Sequence, residues 1–189
     1  MSKRIFDIIL SAAGLFFTIP LWIIFMLIIW ITDGHNPLYI QKRVGKNCKN
    51  FLLLKFRTMI AGAERDTGPV FAGKADERIT TFGIFLRSTA LDELPQLINI
   101  LKGDMSFVGP RPERPEFVEK YIKDVLDYKK RFSVLPGLTG LAQVYGHYDS
   151  NPQEKLKYDL EYLKKQTLWI DLQLIIKSFI ITFQRKWGS

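Results

Sequence analysis

The stretch Leu91–Pro112, LDELPQLINILKGDMSFVGPRP, decides how this chain is read. Leu94, Leu97, Ile98 and Leu101 recur at helical spacing and predict one apolar helix face. Pro95 is tolerated only in a first turn, where its missing N–H is not needed, so the helix starts near Leu91 or Asp92. Asp92 then lies close to the N-cap and Glu93 in the first turn, both at the positive end of the helix dipole. Gly103 is suited to end the helix. Beyond it, Gly109-Pro110-Arg111-Pro112 is a stiff turn offering one planar guanidinium, a fork that suits phosphate oxygens. Taken singly, Asp92 reads as a helix cap and Arg111 as a solvated corner. Taken together, paired carboxylates beside a rigid cationic turn match phosphoryl chemistry on a nucleotide.

Upstream, Ile8–Ile31 is a run of 24 residues without a charge. As a helix it measures roughly 36 Å, against a bilayer core of about 30 Å. It is too long for a signal-peptide core and reads as a membrane anchor. Pro20 removes the hydrogen bond to the carbonyl of Phe16 in mid-segment. Lys3 and Arg4 precede the run, and Lys42, Arg43, Lys46 and Lys49 follow it. Cationic flanks prefer the cytoplasmic side, so a span and a helix that re-enters at Pro20 both remain open.

After the anchor, Leu38–Ile40 and Phe51–Phe56 read as short strands joined by a turn over Arg43–Asn47. Residues 61–76, rich in glycine and charge, read as a surface loop able to serve as linker or lid. Residues 113–131 read as a solvated helix. Pro136–Gly140 reads as a rigid turn, either plain or with amides near an anion. Glu154–Lys165 reads as a helix. Leu168–Phe183 reads as a helix that is either core or interfacial, with Arg185, Lys186 and Trp187 as anchors.

The formal charge is +8, from 27 basic and 19 acidic residues, which favours anionic partners. Cys48 is the sole cysteine, so no intrachain disulfide forms. His35 and His147 stand apart from any zinc-type cluster.

Five blocks in order carry a resemblance: Gln41–Gly45, Lys55–Met59, Leu91–Leu97, Lys102–Pro112 and Pro136–Val144, preceded by Lys3-Arg4-Ile5-Phe6-Asp7. The chain resembles the bacterial monotopic phosphoglycosyltransferases, or bacterial sugar transferases, and in particular their short exopolysaccharide-type members. The resemblance implies an α+β, mainly helical fold. Residues 1–36 would form a re-entrant membrane helix broken at Pro20. Residues 37–189 would form a catalytic domain with surface amphipathic helices, on the cytoplasmic face of the bacterial inner membrane. It implies transfer of a sugar 1-phosphate from a UDP-sugar to a polyprenyl (undecaprenyl) phosphate, releasing UMP and initiating membrane-linked glycan assembly. Partners are these two substrates and membrane lipids rather than nucleic acid, with a homodimer plausible.

Residue by residue, the resemblance makes Asp92 the nucleophile and Glu93 its partner and Mg²⁺ ligand. Arg87 and Arg111 would hold phosphate, with Pro110, Pro112, Lys55, Arg57 and Asp159 as further substrate-site positions. Two departures stand out. Ile19-Pro20 replaces a common Ser-Pro, so Thr18 or a neighbouring helix must satisfy the freed carbonyl. His147 occupies a position where many members have Arg. A metal-dependent glycosyltransferase lacks its Asp-x-Asp here, and a non-catalytic binder of anionic polymer or lipid leaves Asp92 and Glu93 without a task.

Overall fold

The computed structural model describes residues 2–65, 68, 70, 73, 76–146 and 151–184. Helices dominate, with two small two-stranded sheets among them. Helix α1 covers Ser2–Asp33 with Pro20 inside it, an apolar helix long enough to cross a membrane. The Thr18 hydroxyl bonds the Gly14 carbonyl at 2.7 Å, not the Phe16 carbonyl that Pro20 frees.

The N-terminal end of α1 is tied down by polar groups. Lys3 Nζ reaches Asp171 Oδ2 at 2.5 Å and the Tyr162 hydroxyl and Val108 carbonyl at 3.2 Å each. Arg4 donates to the carbonyls of Ile100 and Leu101, and buried Asp7 accepts from Ser106 Oγ and Phe107 N. The far end is tied by apolar groups: Phe25 and Ile29 pack with Phe56 and Leu86. Between them Phe16, Phe17, Ile19, Leu21, Ile23 and Ile24 lie exposed.

Strands β1 (Leu38–Val44) and β2 (Asn50–Phe56) form an antiparallel hairpin. The turn therefore sits beyond Val44, later than the sequence suggests, because Gly45 N–H pairs with the Lys49 carbonyl and lets the ladder run to Val44. Asn99 seals the open edge of β2, accepting from Leu54 N and donating to the Leu52 carbonyl. Helix α2 (Thr81–Ser88) follows, N-capped by Thr80.

The regular helix α3 is Gln96–Lys102, not a helix from Leu91. Leu91–Glu93 forms a separate 3₁₀ turn after Ala90, whose φ of 54° is a left-handed conformation costly for a residue with a Cβ. The buried face of α3 is Gln96, Leu97, Asn99 and Ile100, and Leu101 is exposed. Gly103 ends α3 at φ 95°, as expected.

Strand β3 (Ser106–Val108) pairs in parallel with β4 (Gly137–Thr139). So Gly137–Thr139, within the segment read as a turn, is strand. Gly109 N–H goes to Thr139 O and Gly137 N–H to Pro110 O, each at 2.9 Å. A Cβ on Gly137 would come within 2.1 Å of Gly109 N, so only glycine admits this approach.

The 113–131 segment is not one solvated helix. Helix α4 (Pro115–Asp124) stops, and a 3₁₀ segment Tyr128–Ser133 buries Tyr128, Arg131 and Phe132. Helices α5 (Leu141–Tyr145), α6 (Pro152–Lys165) and α7 (Leu168–Phe183) complete the fold. The main core gathers Leu53, Leu97, Ile100, Met105, Phe107, Val108, Tyr162 and Leu174, each such burial contributing about 1.5–3 kcal/mol. Helix α7 turns Asp171 and Leu174 inward and leaves Trp169, Ile176, Phe179 and Phe183 exposed. His147, most of the 61–76 loop beyond Arg65, and Arg185–Trp187 fall largely or wholly outside the described residues.

Candidate active site

Strand alternation places Gln41, Arg43 and Lys55 on one face of the hairpin, opposite exposed Ile40 and Leu52. That face forms one wall of a cleft of about 1320 Å³. Its basic lining is Arg43, Lys55, Arg57, Arg65, Arg87, Arg111, Arg114, Arg131 and Lys155, against Glu64, Asp92, Glu93 and Glu113. Such a balance draws in polyanions.

The left-handed turn at Ala90 sets the two carboxylates under this wall. Glu93 Oε1 accepts from both Lys55 Nζ and Arg111 Nη2 at 2.7 Å. Asp92 is 8% exposed and accepts no hydrogen bond from the described residues, among which its nearest cation is Lys55 Nζ at 3.8 Å from Oδ2. Burial lifts the Asp92 carboxyl to about 6, with Lys55 opposing and the Glu93 charge adding to the rise. Burial acts the same way on Glu93 but is outweighed by Arg111 and Lys55, which hold it below the ordinary carboxylate range.

Arg87 reaches the site from α2. Gly83 lies flush on Thr58, where a Cβ would meet Thr58 O at 2.2 Å, and Arg87 Nε donates to Thr58 Oγ1 at 2.8 Å. Arg111 sits on a loop whose three successive carbonyls are each held by a different donor. Pro110 O accepts from Gly137 N at 2.9 Å, Arg111 O from Arg131 Nη2 at 3.0 Å, and Pro112 O from Arg43 Nη1 at 2.9 Å. Glu93 draws the Arg111 guanidinium further towards its charged form.

Of the residues singled out by sequence, Asp92, Glu93, Arg87, Arg111, Lys55 and Arg57 line the cleft together. Arg57 turns Nε to the Asn36 carbonyl at 2.7 Å. Pro110, Pro112 and Asp159 are buried behind the wall instead. Asp159 Oδ2 accepts from Arg131 Nε at 2.8 Å, and Arg131 also donates to the Tyr128 hydroxyl. Sequence reasoning passed over Arg131, because an arginine in a charged run gives no sign of burial. Its one signal was the flanking Tyr128 and Phe132, whose rings lie 5.1 and 5.7 Å from its guanidinium carbon. Arg43 was likewise passed over as a site residue; burial lowers it to about 10.

The family model described as bacterial sugar transferase matches residues 1–185. The chain is 38% identical over 200 residues to the undecaprenyl-phosphate galactose phosphotransferase of Salmonella typhimurium, covering 97% of this chain and 40% of that protein. It is 35% identical over 179 residues to the UDP-N-acetylgalactosamine-undecaprenyl-phosphate N-acetylgalactosaminephosphotransferase of Aeromonas hydrophila, 93% of this chain and 42% of that one. With the exopolysaccharide production protein ExoY of Rhizobium meliloti it shares 33% identity over 192 residues, 94% and 84% of the two chains. The chain thus spans about two fifths of the length of the first two relatives and most of the third. With its cationic cleft and buried acidic pair, matched nearly end to end by the family model, the chain belongs to the bacterial sugar transferase family.

Proposed function

We propose that this chain transfers a sugar 1-phosphate from a UDP-sugar to undecaprenyl phosphate, releasing UMP, by way of a covalent intermediate on Asp92. The observation that carries the reading is Asp92 itself. It is a buried carboxylate with no hydrogen-bond donor on it among the described residues, facing a cationic cleft. Relatives named as sugar phosphotransferases acting on undecaprenyl phosphate support the substrate class.

In the first step an Asp92 oxygen attacks the sugar-linked phosphorus. The bond to the bridging oxygen breaks and UMP leaves with its electron pair, giving an acyl phosphate. Arg87 and Arg111 neutralise the non-bridging oxygens, and the held carbonyls of residues 110–112 keep Arg111 from drifting as charge shifts. In the second step an oxygen of the lipid phosphate attacks the same phosphorus and Asp92 departs as carboxylate. Glu93 has no strong base to deprotonate, since the lipid phosphate is already anionic. Its work is to fix Lys55 and Arg111 and to raise the proton affinity, and so the nucleophilicity, of Asp92.

A magnesium ion fits this donor set only in company with the substrate. Among the described residues the side-chain hydrogen bonds to Glu93 fall on Oε1 and not on Oε2, and no cluster of three metal-binding side chains exists. Mg²⁺ is commonly held by one or two carboxylates plus substrate phosphates and water. Held there, Mg²⁺ would supply charge neutralisation to the donor's diphosphate as UMP departs.

A re-entrant seat for α1 on the cytoplasmic leaflet belongs to the same proposal. A spanning helix delivers its ends to opposite faces about 30 Å apart, whereas one body here grips both Lys3–Asp7 and Phe25–Ile29. The test is nucleotide release from a panel of UDP-sugars with undecaprenyl phosphate and Mg²⁺. UMP from one donor, lost in Asp92→Asn, is expected; UDP as product would overturn the reading.

A further inference from the structure

Helix α2 presents two faces with different tasks. Phe82 and Leu86 turn to the membrane helix: Phe82 and Phe25 rings lie 5.7 Å apart, and Leu86 is fully buried with Ile29 and Phe56. Ile84, Arg87 and Ser88, at i, i+3 and i+4, turn to the cleft instead. Ile84 is 59% exposed, and Ile60, also lining the cleft, is 52% exposed. Phe85, stacked on Phe82 and itself half exposed, links the α1 contact of Phe82 to its chain neighbour Ile84. One turn on, Arg87 spends only Nε on protein, and its terminal nitrogens carry no hydrogen bond to the described residues. The charge of Arg87 is felt by Asp92.

The cleft therefore has an edge that grades from membrane-continuous apolar surface through a free guanidinium to a carboxylate. We propose that the Ile60–Ile84 edge is the portal by which the isoprenyl chain of the lipid phosphate enters, with its phosphate on Arg87. The complementarity is twofold. An isoprenyl phosphate is apolar along its length and anionic at one end, and this edge repeats that order over one helical turn. Continuity with α1 lets the chain stay in apolar surroundings while its head group reaches Asp92. The cleft lining at Arg43, Arg114 and Tyr121 is left to the soluble donor. The proposal rests on the transfer reaction above in needing a lipid phosphate as acceptor.

A diazirine-bearing isoprenyl phosphate in nanodiscs tests the portal without turnover. Photolabelling should fall on the peptides carrying Ile60 and Ile84–Arg87 and be competed by unlabelled undecaprenyl phosphate. The Asp92→Asn protein should label as well as wild type. Ile84→Ser should cut competed labelling about tenfold. Leu172→Ser, an exposed apolar site on α7 outside the cleft, should leave it unchanged. Labels confined to α1 and α7, labels not competed, or equal losses in both variants would overturn the portal. Labelled α2 with no UMP from any donor would support the portal while sinking the reaction.

Discussion

Asp92 and Asp159 are both buried aspartates set near arginines, and they are built for opposite purposes. Asp159, 2% exposed, is bonded at 2.8 Å to Arg131, which in turn holds the Arg111 carbonyl. Asp92, 8% exposed, has no such partner, and Lys55 at 3.8 Å is shared with Glu93. A buried charge with a direct partner is structural: burial still raises the Asp159 carboxyl, but Arg131 offsets part of that cost and occupies its oxygen. A buried charge near cations but not bonded to them keeps its lone pairs free and its proton affinity high. The difference separates the wall behind the site from the site.

Replacing each aspartate by asparagine is the strongest way to break that contrast. Asp92→Asn should lower turnover at least ~10⁴-fold, the scale on which losing a nucleophile acts, and its melting temperature should hold or rise. The sign follows from linkage. Folding lifts Asp92 from 3.8 to about 6, so ionising it costs the folded state. That cost is absent below about pH 4, grows to pH 6 and is constant above. Asp159→Asn should instead lower stability by about 3–5 kcal/mol, since it strands a buried guanidinium. Denaturant melts of the two variants check both signs, and equal destabilisation would erase the distinction.

Thr58→Val removes the acceptor that aims Arg87. Activity should drop about tenfold, equivalent to about 1.4 kcal/mol, with the drop seen in KM for the lipid phosphate and the fold unchanged by circular dichroism. The smallest effect is on pH. In wild type, kcat/KM should fall tenfold per unit below about pH 6 as Asp92 takes up its proton. In Glu93→Gln that limb should move to lower pH, because a negative charge that raises Asp92 is gone. A pH–rate profile of both proteins measures this, and a limb that stays put would free Asp92 from Glu93.

Asp92, Glu93 and Arg111 of the candidate site stand out on residue type and spacing, Arg87 and Lys55 only through the family resemblance, and the structure gathers all five in one cleft. The start of α3 lies later than the sequence predicts because Pro95 serves as its N-cap rather than sitting in a first turn begun at Leu91. Residues 113–131 were misjudged because composition reads charge as solvation, whereas Glu113, Arg114 and Arg131 are buried by partners far along the chain.

Local physical chemistry determined the apolar length of α1, the hairpin, the stop at Gly103 and the chemical character of the pair, since each depends on neighbours within a turn or a strand. Only the tertiary structure decided which carboxylate is left without a partner, which arginine stands behind Arg111, and that one body holds both ends of α1. Those outcomes depend on distances between residues up to 168 positions apart, such as Lys3 and Asp171. Burial and pairing arise from such meetings, and no local pattern records them.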